Sequence, residues 1–294
     1  MELHQLRYFV AIAELRSFTR AAERCRVSQP SLSQQIIKLE RELGQPLFER
    51  LGRSVRLTEP GEALLAQAQA ILRSVNEIQE RVVAAVDPQQ GKVSVGAIPT
   101  IAPYLLPPLL KSFRRQHAGA RVSVHENLTD PLLQGCLSGE VDVAVIASPP
   151  HHDLLCSEAL FTEELRLATA RGHRLLKGSA VALRDLAAEP FVLMNELHCL
   201  GEQVLGFCRQ EGCEPQIHCQ SVQLLTIQEL VAQGQGVSLI PSMACESDRG
   251  RKCSYRSLTA PTPTRTIRMV WHRDRYQSPL LKRLLQAMRG LSRP

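Results

Sequence analysis

No stretch of this 294-residue chain approaches the roughly 20 consecutive apolar residues that cross a bilayer as a helix. The opening MELHQLRYFV also lacks the unbroken apolar core of a secretion signal, because charged and polar residues interrupt it. A cytoplasmic protein with no membrane partner is therefore expected. Cysteine and histidine are not arranged in the close pairs of a structural zinc site. The nine cysteines are odd in number and irregularly spaced, which in a reducing compartment argues for individual thiols and against a disulfide framework. Neither a metal nor a cofactor is expected.

What is present is ordinary for a soluble globular protein, with 44% hydrophobic and 22% charged residues and a length that suits two or three domains. The charge is unevenly spread. Residues 1–58 carry ten Lys and Arg against six Glu, a balance of +4 out of +6 for the whole chain. A basic N-terminal module points to a polyanionic partner.

Within that module Leu3, Leu6, Val10 and Ala13 recur at helical spacing. Ser17-Phe18-Thr19 supplies a capped start for a short second helix containing Ala21-Ala22. Ser28 caps a third helix that stops at Gly44. In this third helix Leu32, Ile36, Leu39 and Leu43 form an apolar face. Ser31, Gln34, Lys38 and Arg41 lie opposite, and Ser31, Ser33, Gln34 and Lys38 are the candidate DNA contacts. Two helices joined by a tight turn, the second presenting Ser, Gln and Lys, describe a helix-turn-helix. Arg53-Ser54-Val55-Arg56-Leu57-Thr58 then reads as a basic hairpin wing, with Arg53 at a tip suited to a minor groove or a phosphate.

Residues 1–65 resemble the winged helix-turn-helix of LysR-type transcriptional regulators. The resemblance is carried by LRYFVAIAELRSFTRAAERCRVSQPSLSQQIIKLERELGQPLFER followed by LTEPGEALL. It implies a DNA-binding regulator, not an enzyme, with double-stranded DNA and RNA polymerase as partners.

From Thr58, a candidate N-cap followed by Pro60 in the first turn, the pattern changes. Leu64, Ala68, Ile71, Val75, Ile78 and Val82 repeat with a 3.5-residue period until Asp87-Pro88. That period predicts a coiled-coil seam and a homodimer. Family resemblance extends the expectation to a homotetramer. The domain reading is a winged helix-turn-helix over 1–58, a linker and dimerisation helix over 59–90, and an effector domain over 91–294.

In the effector domain β-like runs alternate with helical ones: KVSVGAI at 92–98, RVSVHE at 121–126, VDVAVIA at 141–147, FVLM at 191–194 and GVSLIP at 236–241. Helical patterns at Leu105 to Arg115 and Val222 to Gln233 lie between them. The pattern predicts an α/β fold with largely parallel sheets. The family resemblance implies a periplasmic-binding-protein-like pair of subdomains, 91–162 with 267–294 and 163–266. Ligand sites in such sheets lie beyond the C-terminal ends of strands, which nominates Pro99-Thr100 and Asn127 to Asp130.

Cys199 and Cys208 stand nine positions apart in a helical pattern with Leu200, Val204, Leu205 and Phe207. A continuous helix holds their Cα atoms roughly 13 Å apart, whereas a disulfide needs about 4.4–6.8 Å. Either the two thiols never meet or the segment unwinds. HCLGEQVLGFC resembles the redox loop of the peroxide-sensing, OxyR-type branch of the LysR family. IPTIAPYLLP at 98–107, Thr129 and RTI at 265–267 extend the resemblance.

This resemblance implies that Cys199 is the peroxidatic thiol and Cys208 the resolving one. It also implies that Thr100, Thr129, His198 and Arg265 line a pocket for hydrogen peroxide. Oxidation gives a sulfenic acid and then a Cys199–Cys208 disulfide, which a cytosolic thiol reductant reverses; the regulated genes would be those of oxidative stress. The chain departs from the branch at Gly201, where a basic residue is usual, and at Glu202, where the usual acid is a shorter one. Cys213 and Cys219 are extra thiols able to compete as resolving partners. Cys25, Cys136, Cys156, Cys245 and Cys253 read as core or incidental residues. Three other readings remain open: a small organic effector in the interdomain cleft, a metal sensor using His198, Cys199, Cys208, Cys213, His218 and Cys219, and a thiol peroxidase.

Overall fold

The computed structural model describes every residue except 52–53, 87–90, 196–197, 249, 251 and 292–294. It divides into two compact units, Met1–Val82 and Val83–Pro294.

The first unit opens with three helices, α1 (Leu3–Leu15), α2 (Phe18–Cys25) and α3 (Gln29–Leu43). The Ser17 hydroxyl caps α2 by accepting from the Arg20 amide at 3.3 Å, and Ser28 caps α3 by accepting from the Ser31 amide at 3.4 Å. Leu6, Phe9 and Ile12 meet Ala21, Leu32, Ile36 and Leu39 in a closed core. Leu43 does not join them and is 41% exposed, because the last turn of α3 runs past that core. The Glu40 carboxylate accepts from the amides of Leu47 (2.8 Å) and Phe48 (3.4 Å), fixing where the chain enters the wing. The wing is an antiparallel pair, β1 (Phe48–Leu51) and β2 (Ser54–Leu57).

A long helix follows, α4 (Glu59–Val86), started by the Thr58 hydroxyl accepting from the Gly61 amide at 3.1 Å. The seam expected along it is corrected at its first two members. Leu64 and Ala68 pack into the core of α1–α3, with Ala68 fully buried. One heptad-like pattern therefore covers two surfaces in turn. Ile71, Ile78 and Val82 are exposed and Val75 is half-buried.

The second unit contains β3 (Gly91–Ala97), α5 (Ala102–Gln116), β4 (Ala120–Glu126), α6 (Thr129–Ser138), β5 (Val143–Ile146) and the long β6 (Leu155–Thr169). Then come β7 (Pro190–Met194), α7 (Cys199–Gln210), β8 (Gln216–Ser221), α8 (Leu224–Ala232), β9 (Ser238–Pro241) and α9 (Ser242–Ser247). The unit ends with β10 (Ser254–Arg256), β11 (Thr264–His272) and α10 (Pro279–Arg289). β3 pairs in parallel with β4 and β5, and β7 with β8.

The expectation of largely parallel sheets holds for those strands but misses the long antiparallel ladder of β6 and β11. That ladder joins two hydrophobic clusters. Ile267, Met269 and Val270 belong to the cluster around β3, β5, α5 and α10, while Leu165, Leu167 and Ala168 belong to the one around β7, α7 and α8. Midway, Thr162 pairs with Thr266 and their hydroxyls lie 3.1 Å apart. The chain passes between the clusters as continuous strands, so the geometry of whatever lies between them is set by a rigid ladder.

Candidate functional site

In the first unit the side of α3 away from the core presents Ser31, Gln34 and Lys38 to solvent, with Ser33 half-buried beside them. Their exposure follows from the anchoring of Leu32, Ile36 and Leu39 underneath. Arg53 lies outside the described residues.

In the second unit three strand-to-helix turns converge. The turn after β3 brings Ile98 and Thr100, the start of α6 brings Thr129, and the start of α7 brings His198 and Cys199. These residues and Leu128 line one small cavity. It leaves about 10 Å³ for the centre of a water-sized sphere, close to the least that admits one water molecule. Leu128 lies within the nominated Asn127 to Asp130 segment and Ile98 within the IPTIAPYLLP run, although neither was named as a lining residue, because isolated apolar residues carry no chemical signature.

Arg265 was expected in the lining and instead stands behind Thr100. Its Nη1 donates to Thr100 Oγ1 at 2.8 Å and its Nη2 to the Thr100 carbonyl at 3.1 Å. Its Nε donates at 2.8 Å to Glu163, whose carboxylate also forms an ion pair with Nη2 at 2.7 Å. Both side chains are completely buried. Glu163 completes its coordination by accepting from the Ser242 hydroxyl (3.1 Å) and the Met243 amide (3.0 Å). The guanidinium thus positions Thr100, and its charge is largely matched by a carboxylate. Glu163 was missed, although a signal existed: in β6 the alternation Glu163, Leu165, Leu167, Thr169 marks one inward face.

Cys199 is the first residue of α7, with His198 at the N-cap position. Burial pushes the Cys199 thiol up from its ordinary pKa. Arg265 and a hydrogen bond with the Thr129 side chain pull the other way, and Glu202 pushes up again. Burial holds His198 below the usual imidazole value, so it is neutral at pH 7. Cys208 is fully buried and its thiol is pushed up to about 11, by burial first and by Cys213 second. All nine cysteines are free thiols. Since α7 is unbroken from Cys199 to Gln210, the Cα atoms of Cys199 and Cys208 are about 14 Å apart, on opposite sides of the helix.

Gly201 packs closely against the end of β7. A Cβ there would fall 2.4 Å from the Met194 carbonyl oxygen, so the first turn of α7 lies directly on the end of β7. Gln203 adds a tie by donating to the Ala147 carbonyl at 2.6 Å. Among the described residues no cluster of three or more potential ligands forms a metal site, and no helix is long and apolar enough to cross a membrane.

Comparison with known proteins agrees with both units. Residues 3–62 match the family of bacterial regulatory helix-turn-helix proteins of the lysR family, and residues 87–293 match the LysR substrate binding domain. The hydrogen peroxide-inducible genes activator of Dickeya chrysanthemi is 38% identical over 94% of this chain and 93% of its own length. The DNA-binding transcriptional dual regulator OxyR of Escherichia coli K12 is 36% identical over 97% and 93%. The solved structure of a full-length cysteine-to-aspartate variant of OxyR from Pseudomonas aeruginosa superimposes with a TM-score of 0.79 at 34% identity, covering 99% of each chain. With both of its units matched in order along the chain, this protein belongs to the LysR family of transcriptional regulators.

Proposed function

We propose that this LysR-family regulator binds double-stranded DNA through α3 and senses hydrogen peroxide by reversible oxidation of Cys199. The observation that carries the reading is the cavity over Cys199, close in size to a single small polar molecule and lined by Thr100 and Thr129. A small organic effector needs several times that space.

In the proposed chemistry the Cys199 thiolate attacks one peroxide oxygen, the O–O bond breaks, and the departing hydroxide takes a proton to become water. Thr129 hydrogen-bonds the sulfur and Thr100, held by Arg265, orients the peroxide. Cys199 is left as a sulfenic acid. Cys208 then attacks that sulfur, a second water leaves and a disulfide forms. Because α7 in its helical form keeps the thiols too far apart, the disulfide requires it to unwind. Unwinding is the two-state element that would alter how protomers associate on DNA. Dimerisation is assigned to Ile71, Val75, Ile78 and Val82 of α4, and pairs of dimers form the tetramer that engages RNA polymerase. A cytoplasmic thiol reductant resets the switch. The reading is tested by stopped-flow mixing with peroxide: second-order loss of the Cys199 thiol supports it, and reaction no faster than a free thiol overturns it.

Three further outcomes are expected. Because burial raises the Cys199 pKa, the thiolate is the minority form at pH 7, and the reaction rate rises with pH until the thiol is titrated. A rate that is flat from pH 6 to 8 in the same stopped-flow experiment contradicts this. On DNA, Lys38→Ala weakens binding evenly across sequences and lowers the salt slope by about 1. Gln34→Ala relaxes discrimination at one base by about 1–3 kcal/mol. Titrations of operator and scrambled DNA at several salt concentrations separate the two.

A further inference from the structure

α7 ends in a way that bears directly on its thiols. Gly212 adopts φ +67°, its amide donates to the Arg209 carbonyl at 3.1 Å, and the Cys213 amide donates back to the Cys208 carbonyl at 2.8 Å. A left-handed glycine with these two bonds is a Schellman stop, which brings the side chains of its third-last and second-following residues together. Here those residues are Cys208 and Cys213.

The returning bond also bounds their separation. With standard backbone dimensions, a 2.8 Å bond from the Cys213 amide to the Cys208 carbonyl limits the two Cα atoms to at most about 6.7 Å. That is inside the range of about 4.4–6.8 Å that a disulfide spans. Both thiols are buried in one hydrophobic cluster, and Cys213 adds to the upward push on Cys208. The folded helix thus holds the Cα atoms of Cys208 and Cys213 at a spacing a disulfide can span, and those of Cys208 and Cys199 beyond it.

We propose that Cys208 and Cys213 form a second redox site, which takes over the oxidising equivalent from Cys199 and ends the signal from within. The proposal rests on the peroxide reading above. Once the Cys199–Cys208 disulfide has unwound α7, Cys213 loses its proton to solvent and its thiolate attacks the Cys208 sulfur. The Cys208–Cys213 bond forms, the Cys199–Cys208 bond breaks, and Cys199 leaves as a thiolate. No further oxidant is needed: overall one hydrogen peroxide becomes two waters and two thiols become one disulfide.

The exchange runs forward because it replaces a bond that forbids α7 with one that its C-terminal stop accommodates. The product is oxidised, yet helical around a reduced Cys199. A second equivalent of peroxide then leaves Cys199 as an unresolved sulfenic acid until Cys208–Cys213 is reduced.

Trypsin separates the two states, because Arg209 lies between the sites. Residues 185–209 carry both Cys199 and Cys208, whereas residues 210–249 carry Cys213, Cys219 and Cys245. A Cys199–Cys208 bond closes a loop within one peptide, and a Cys208–Cys213 bond joins two. The anaerobic protein is treated with one equivalent of hydrogen peroxide, acid-quenched over time, alkylated and mapped. In the wild type the loop appears first and gives way to the joined peptides. In Cys213→Ser and Cys213→Ala the loop persists, and in Cys219→Ser the wild-type course returns. Equal loop lifetimes in the wild type and both Cys213 variants overturn the exchange.

A parallel sample of Cys199→Ser, equilibrated with oxidised glutathione, is expected to join the two peptides through Cys208 and Cys213. Failure to join them at equilibrium overturns the pairing itself. If this sample cross-links while peroxide produces neither loop nor cross-link in the wild type, the peroxide reading falls, and the relay with it, while the dithiol pair stands.

Discussion

Cys199→Ser is expected to abolish the response of transcription to peroxide and to leave the reduced protein's DNA binding unchanged. Serine keeps the size of the side chain and the N-terminal position of α7, so the cavity formed with Thr100, Thr129 and His198 is preserved. What is lost is, among the described lining residues, the one group that can reduce a peroxide. Three of the other thiols are poor substitutes. Cys136, Cys208 and Cys253 are buried and pushed up to about 12, 11 and 11, so their reactive thiolate forms are scarce at pH 7. Reporter transcription with and without peroxide, paired with operator binding, checks the claim. A retained response would move the sensor elsewhere.

The second large effect is on stability. Arg265→Leu is expected to cost about 3–5 kcal/mol, because Glu163 is left charged and unpaired in a fully buried position. The same change frees Thr100, whose hydroxyl and carbonyl both accept from the guanidinium. Peroxide reactivity therefore falls even under conditions where the variant remains folded. The double variant Arg265→Leu with Glu163→Leu removes both charges, and denaturant unfolding should find it closer to the wild type than Arg265→Leu alone. If the double variant is the less stable of the two, the pair stabilises the fold directly and does not merely avoid an unpaired charge.

The two effects differ in how readily the sequence discloses them. Ser28 and Gly44 bound α3, Thr58 starts α4, and the unbroken apolar runs of β5 and β7 announce buried strands, because caps and hydrophobic period are local properties. Thr100, Thr129, His198 and Cys199 were legible through their resemblance to a known arrangement, and they do line one cavity. Arg265 was named but given the wrong position, since its partner Glu163 is 102 residues away and nothing local signals an ion pair formed across a ladder.

β6 and β11 were passed over for a related reason. Buried residues in them are interspersed with half-buried and exposed polar ones, so they lack the continuous apolar run of a central strand. Along α4 the difficulty is the reverse, because the period is genuine but serves two partners. A repeating pattern shows that a face is covered without saying by what, and Ala68 is covered by its own domain. Gly212 illustrates a signal that was present and unused. A glycine just beyond a helical run announces a left-handed stop, and that stop is what brings Cys208 to Cys213.

Oxidation is expected to unwind α7. Pulse-labelled hydrogen exchange across residues 199–210 tests it most directly, using the Cys213→Ser protein reduced and after one equivalent of hydrogen peroxide. The amides of α7 are expected to be protected in the reduced protein and to lose that protection as the Cys199–Cys208 disulfide forms. A disulfide that forms while those amides stay protected would contradict the account.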